Sequence, residues 1–162
     1  MKNYNTKKIV QTAVFAALAA VLTIFPQVPT GTGGYVHFGD SIIYIAAMLL
    51  GPIGGCISGA IGHAMADLIS GYAIFALPTF IIKGIMGYVT GKILYKNYDF
   101  KHITLAMILA LIIQTLGYFI AEIPLYGLET AAIVFISSPI QWLMSVIAFC
   151  IMLPIIKRIK YK

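Results

Sequence analysis

Charge is scarce in this chain. Only 10% of its 162 residues are Asp, Glu, Lys or Arg, and five of those are acidic. A soluble domain carries about 25%, so too little polar surface is present to coat a globule in water. Familiar chemical motifs are missing as well. There is no Gly-x-x-x-x-Gly-Lys-Ser/Thr phosphate loop, so the chain is not expected to hydrolyse ATP in the usual way. There is no His-Glu-x-x-His motif, no Gly-x-Ser-x-Gly elbow and no paired-glutamate pattern of a membrane protease, so nothing proposes an enzyme. An inverted repeat of the kind seen in many secondary transporters is not evident. The two cysteines, Cys56 and Cys150, lie far apart in apolar segments. They read as packed thiols rather than as a disulfide or a metal site.

What is abundant is apolar: 60% of the residues are hydrophobic and the mean hydropathy is +0.95. Helix-length apolar runs follow one another closely, which predicts an all-α membrane protein with one integral domain over residues 1–162. The first run follows Lys7 and Lys8, is long for a cleaved signal peptide and lacks a small-residue cleavage pattern, so it reads as a retained span. Six spans fit, at 9–25, 40–50, 53–70, 78–95, 103–123 and 131–156, joined by 26–39, a Gly51-Pro52 turn, 71–77, 96–102 and 124–130. Crossing a bilayer takes about 20 residues. The second span must therefore be tilted, buried in protein or extended by the loop before it.

The net charge of +6 raises nucleic acid as a partner, but its placement argues against one. Ten of the eleven basic residues lie at the N-terminus, in the 92–101 connection or at the C-terminus, which six spans put on one side. The other three connections hold none. The positive-inside rule makes that side, and both termini, cytoplasmic.

Lys83 is the exception, deep within an apolar stretch. An ammonium at mid-bilayer costs about 2.5–3.5 kcal/mol on insertion scales, so a polar pocket inside the bundle is expected around it. Asp40, Asp67 and Glu122 sit at span ends on the same side, with His37 and His63 nearby. In the fourth span Thr79, Lys83, Gly87 and Gly91 share a face; in the fifth Gln114, Tyr118 and Glu122 do; in the sixth Ser138, Gln141, Trp142 and Ser145 do. These read as three walls of one site, with Tyr118 and Trp142 as stacking surfaces. Duller roles exist for each: Asp40 as a helix cap, Asp67 paired with His63 or Lys83, Lys83 snorkelling, Glu122 solvated at a border, the aromatics at the interface. Small residues at four-residue spacing form ridges in the first span (Ala13, Ala17) and the third (Gly54, Ser58, Gly62, Ala66, with Gly55 and Gly59), where helices can approach closely.

Several stretches together resemble the substrate-binding S components of energy-coupling-factor (ECF) vitamin transporters. They are Thr12-Ala13-Val14-Phe15-Ala16-Ala17-Leu18, Val36-His37-Phe38-Gly39-Asp40, Leu50-Gly51-Pro52, Asp67-Leu68-Ile69-Ser70-Gly71-Tyr72 and Pro78-Thr79-Phe80-Ile81-Ile82-Lys83-Gly84. The resemblance spans nearly the whole chain and is densest from 35 to 91. It implies a six-helix bundle that binds a vitamin or precursor from outside. It also implies a transmembrane coupling subunit and two cytoplasmic ATPases as partners, with Ala13 and Ala17 docking the coupling subunit and no cofactor or metal. Within the family the sequence is most similar to the hydroxymethylpyrimidine/pyridoxine-type, riboflavin-like branch. The expected ligand contacts are His37, Asp40, Lys83, Gln114, Tyr118, Glu122, Gln141 and Trp142. Riboflavin or another B vitamin is the alternative ligand. The rival classes are a stand-alone channel or secondary carrier, and an intramembrane enzyme or assembly subunit.

Overall fold

The computed structural model describes residues 6–29, 34–97 and 99–160, with the side chains of 159 and 160 excepted. Of the basic anchors, Lys2, Lys162 and the side chain of Lys160 lie outside the described residues, as do 30–33 of the first connection. The chain is helical almost throughout: α1 Thr6–Ile24, a two-residue hairpin of β1 Val28–Pro29 and β2 Tyr35–Val36, then α2 Asp40–Leu50, α3 Pro52–Ile69, α4 Ala73–Leu94, α5 Phe100–Tyr126, a single turn α6 Leu128–Ala131 and α7 Val134–Lys160. Among the described residues, four stretches are long and apolar enough to cross a membrane: α1, α4, α5 and 128–158. Large apolar side chains such as Val14, Ile81, Ile112 and Ile147 point outward, as lipid solvation allows.

The short second helix owes its length to its position. Ten of the eleven residues of α2 are buried, with α1, α3, α4 and α7 packed around it. A helix that touches protein on every side needs no lipid-matched length. Its core includes Tyr44 set edge-on to Phe149 at 5.8 Å, with Ile43, Met48 and Met86. Gly51 ends α2 at φ 87°, a left-handed conformation that glycine adopts without a Cβ penalty, and Pro52 opens α3 at once.

The small-residue ridges of α3 face two neighbours. On one side a Cβ at Gly62 would lie 2.5 Å from the Ala16 carbonyl oxygen of α1, and Ser58 donates to the Thr12 carbonyl at 3.1 Å. On the other, a Cβ at Gly55 would lie 2.6 Å from the Gly87 oxygen and one at Gly59 2.7 Å from the Lys83 oxygen of α4. Backbones this close leave no room for side chains, so α1, α3 and α4 form one tight sheet of helices.

Two expectations are corrected. Residues 73–77, read as part of the 71–77 connection, are already helix; Pro78 sits in the second turn, where it forfeits one backbone hydrogen bond. Lys83 is therefore at the middle of α4. The thiols differ also: Cys56 is half-buried and Cys150 exposed, both free. An outward, lipid-facing thiol needs no packed core.

Candidate functional site

Asp40 opens α2 and is fully buried among four helices. Lys83 Nζ donates to its Oδ1 at 2.7 Å and its Oδ2 at 2.9 Å, and to Gln114 Oε1 on α5 at 2.6 Å. From α7, Gln141 Nε2 donates to Asp40 Oδ2 at 2.8 Å. From α3, His63 brings Nε2 to 3.2 Å from Asp40 Oδ1, within ion-pair range but not aligned as a hydrogen bond. The Lys83 ammonium also lies 5.5 Å from the centre of the Tyr118 ring, a cation–π distance. Charges this deep persist only when paired and hydrogen-bonded, and here each is.

Directly above this cluster is a cavity of about 50 Å³ open to water-sized molecules. Its walls come from the hairpin segment (Tyr35, Val36, His37), from α3 (His63, Asp67) and from α4 (Phe75, Thr79). Gln114, Tyr118 and Glu122 of α5 and Ser137, Ser138 and Gln141 of α7 line it too, as does Thr23 of α1. The hairpin is fastened across α3: Tyr35 donates its hydroxyl to Asp67 Oδ1 and packs against Tyr72 with ring centres 4.8 Å apart. Burial, with Asp67 alongside, raises the Tyr35 phenol pKa, which keeps the hydroxyl a donor. Thr79 and Tyr118 join their hydroxyls at 3.1 Å. Two carboxyl oxygens, Asp67 Oδ2 and Glu122 Oε2, are buried with no partner among the described residues. Buried acceptors rarely go unpaired unless something else is meant to reach them.

The expected ligand contacts divide accordingly. His37, Gln114, Tyr118, Glu122 and Gln141 come together on the cavity wall. Asp40 and Lys83 lie beneath it, spent on each other, and are not among the wall residues. Trp142 is the clear departure. Its indole N–H donates to the Met107 carbonyl at 2.8 Å and its ring packs on the apolar core, because it projects from α7 towards α5 while Gln141 takes the inward position. Neither of the weighed partners holds Asp67; Tyr35 does. Tyr35, Thr79, Phe75 and Ser137 were not among the expected ligand contacts. A signal existed for Tyr35, an aromatic two residues before His37 in a Gly-rich segment ending at a buried carboxylate.

His37, Asp40 and His63 bring ligand-type atoms within 4.8 Å of one another. The Lys83 ammonium, however, already occupies the carboxylate face a cation would need. Ala13 and Ala17 are exposed, on an apolar groove of about 520 Å³ between α1 and α3 floored by Ala16, Ala20, Ile57 and Ile61.

Comparison with known proteins accords with this architecture. A family model described as ECF-type riboflavin transporter, S component, matches residues 3–161. The thiamine precursor transporter HmpT of Lactococcus lactis is 29% identical over 161 residues, covering 98% of this chain and 92% of that protein. An uncharacterized protein in gap 3'region of Pyrococcus woesei is 35% identical over 122 residues, 75% of this chain and 82% of its own. Among solved structures, FolT bound with folic acid superposes with a TM-score of 0.67 at 20% identity, over 90% of this chain and 91% of that one, which establishes the shared fold. The chain belongs to the ECF-type riboflavin transporter S component family, and is a multi-pass protein of the bacterial plasma membrane that binds substrate for an ECF vitamin transporter.

Proposed function

We propose that this S component captures a single-ring heterocycle bearing N–H or O–H donors, of the hydroxymethylpyrimidine or pyridoxine kind, from outside the cell. The carrying observation is the cavity wall, which combines the aromatic residues Tyr35, Phe75 and Tyr118 with the unpartnered oxygens of Asp67 and Glu122. Size supports the same class. A water needs about 10–15 Å³ of such space, so the 50 Å³ present holds a handful of waters, the room of one small ring. The relative that transports a thiamine precursor fits this reading. The family's name favours a flavin as the second one.

Six helices, α1 to α5 and α7, serve as the spans, with α6 a turn between two of them. The cavity draws on the end of α3, the start of α4, the end of α5 and the start of α7. Lys7, Lys8, Lys92, Lys101 and Lys157 sit at the opposite helix ends. That asymmetry supports cytoplasmic termini and a cavity that opens outward. Titration of the purified protein in detergent tests the ligand: hydroxymethylpyrimidine is expected to bind at least about 10-fold more tightly than riboflavin, about 1.4 kcal/mol. The reverse order would assign the site to a flavin.

The partners are a transmembrane coupling subunit and two cytoplasmic ATPases, with the coupling subunit seated in the groove at Ala13 and Ala17. Substituting either alanine by Trp is expected to cut uptake in cells several-fold and leave ligand binding intact. Binding lost together with uptake would assign the ridge to packing within the bundle.

A further inference from the structure

We propose that Lys83 is a positioning residue: it makes no contact with ligand, and fixes the hydrogen-bond polarity of the pocket so that Gln141 turns its carbonyl oxygen to the ligand. The inference rests on the cavity being the ligand site. A glutamine side chain can present either end of its amide, and here two buried charges decide which. The Lys83 ammonium has three hydrogens and three acceptors, at 2.7 and 2.9 Å on Asp40 and 2.6 Å on Gln114. None is left for a ligand. Because an ammonium only donates, Gln114 must give it Oε1, and Gln114 Nε2 then turns to the Ser138 carbonyl at 3.4 Å.

The second charge acts on Gln141. A carboxylate only accepts, so Gln141 must offer Nε2 to Asp40 Oδ2 at 2.8 Å, with Gln114 Oε1 next to the same nitrogen at 3.4 Å. Both donors of Gln141 are then engaged. Its Oε1 has no protein partner among the described residues, and Gln141 lines the cavity. Turning the amide over would set oxygen against the carboxylate of a fully buried Asp40. The acceptor so created joins Asp67 Oδ2 and Glu122 Oε2. Donors stand opposite: the Thr23 hydroxyl, unpaired among the described residues, lines the cavity, and His37 Nδ1 accepts the Gly39 N–H at 3.0 Å, which leaves Nε2–H as the donor of the neutral ring. The three open acceptors complement a ring that carries amino or hydroxyl groups, and the donors its acceptor nitrogen. An oxo group in place of the amino group would face Gln141 Oε1 with a second lone pair.

The test removes both charges at once. Asp40→Asn/Lys83→Met keeps shape and leaves no lone buried charge, so the amides are free to turn. Two readouts are taken on wild type and double variant in nanodiscs. The first, ligand-free, is the ¹⁵N side-chain amide spectrum, assigned by Gln141→Leu. The Gln141 amide protons are expected downfield in wild type, from donation to a carboxylate, and back at ordinary positions in the variant. The second is the ratio of affinities for 4-amino-5-hydroxymethyl-2-methylpyrimidine and its 4-oxo analogue. The amino form is expected to win by at least about 10-fold in wild type and by under about 3-fold in the variant. An unshifted Gln141 amide, or an unchanged ratio in folded variant, would overturn the proposal. Wild type that binds neither pyrimidine would defeat the ligand reading, while the amide spectrum still judges the polarity claim.

Discussion

Lys83→Met alone is expected to cost about 3–5 kcal/mol of stability, seen as loss of monodisperse protein after membrane extraction and a large fall in the detergent melting midpoint. The reason is not the worth of the ion pair but what remains without it. Asp40 would be left as a fully buried carboxylate, with Gln141 as its one aligned hydrogen-bond donor and His63 off axis. Replacing both members costs far less, since a neutral pair of similar shape needs no counter-charge. Asp40→Asn/Lys83→Met should therefore recover most of what the single substitution loses. A single variant as stable as wild type would mean that the cluster is not the keystone of the bundle.

The second large effect concerns the open acceptors. Glu122→Gln and Asp67→Asn are each expected to weaken hydroxymethylpyrimidine binding about 10- to 100-fold, about 1.4–2.7 kcal/mol, with the melting midpoint little changed. Each swaps a cavity oxygen for an amino group that repels a ligand donor, and Asp67→Asn keeps an oxygen for Tyr35. Calorimetric titration checks this. Unaltered affinity in both variants would show that ligand is held elsewhere.

The buried lysine, the polar faces of the last three long helices and the two ridges of α3 were legible in the sequence because helical spacing puts residues three and four apart on one side. What occupies the space across from a face was not. Asp40 and Lys83 are separated by 43 positions, and no local pattern states that they meet or that Asp40 and Gln114 together take every hydrogen on Lys83. Trp142 was misplaced for a related reason. It adjoins Gln141 in sequence, so the two diverge by about 100° around a helix of 3.6 residues per turn, and only packing tells which looks inward. Phe75 was hidden because the fourth span was read from residue 78, whereas the helix begins at Ala73 and carries Pro78 inside it at the cost of a backbone hydrogen bond.

The stubby, wholly enclosed α2 constrains how the chain is made. At about 1.5 Å per residue its eleven residues reach about 16 Å, half of the ~30 Å hydrocarbon layer, and they begin with an ionisable carboxyl. A translocon has little reason to release such a segment sideways on its own. Its counter-ion arrives only when Lys83 has been translated, so α2 must settle after α4 rather than in its numerical turn.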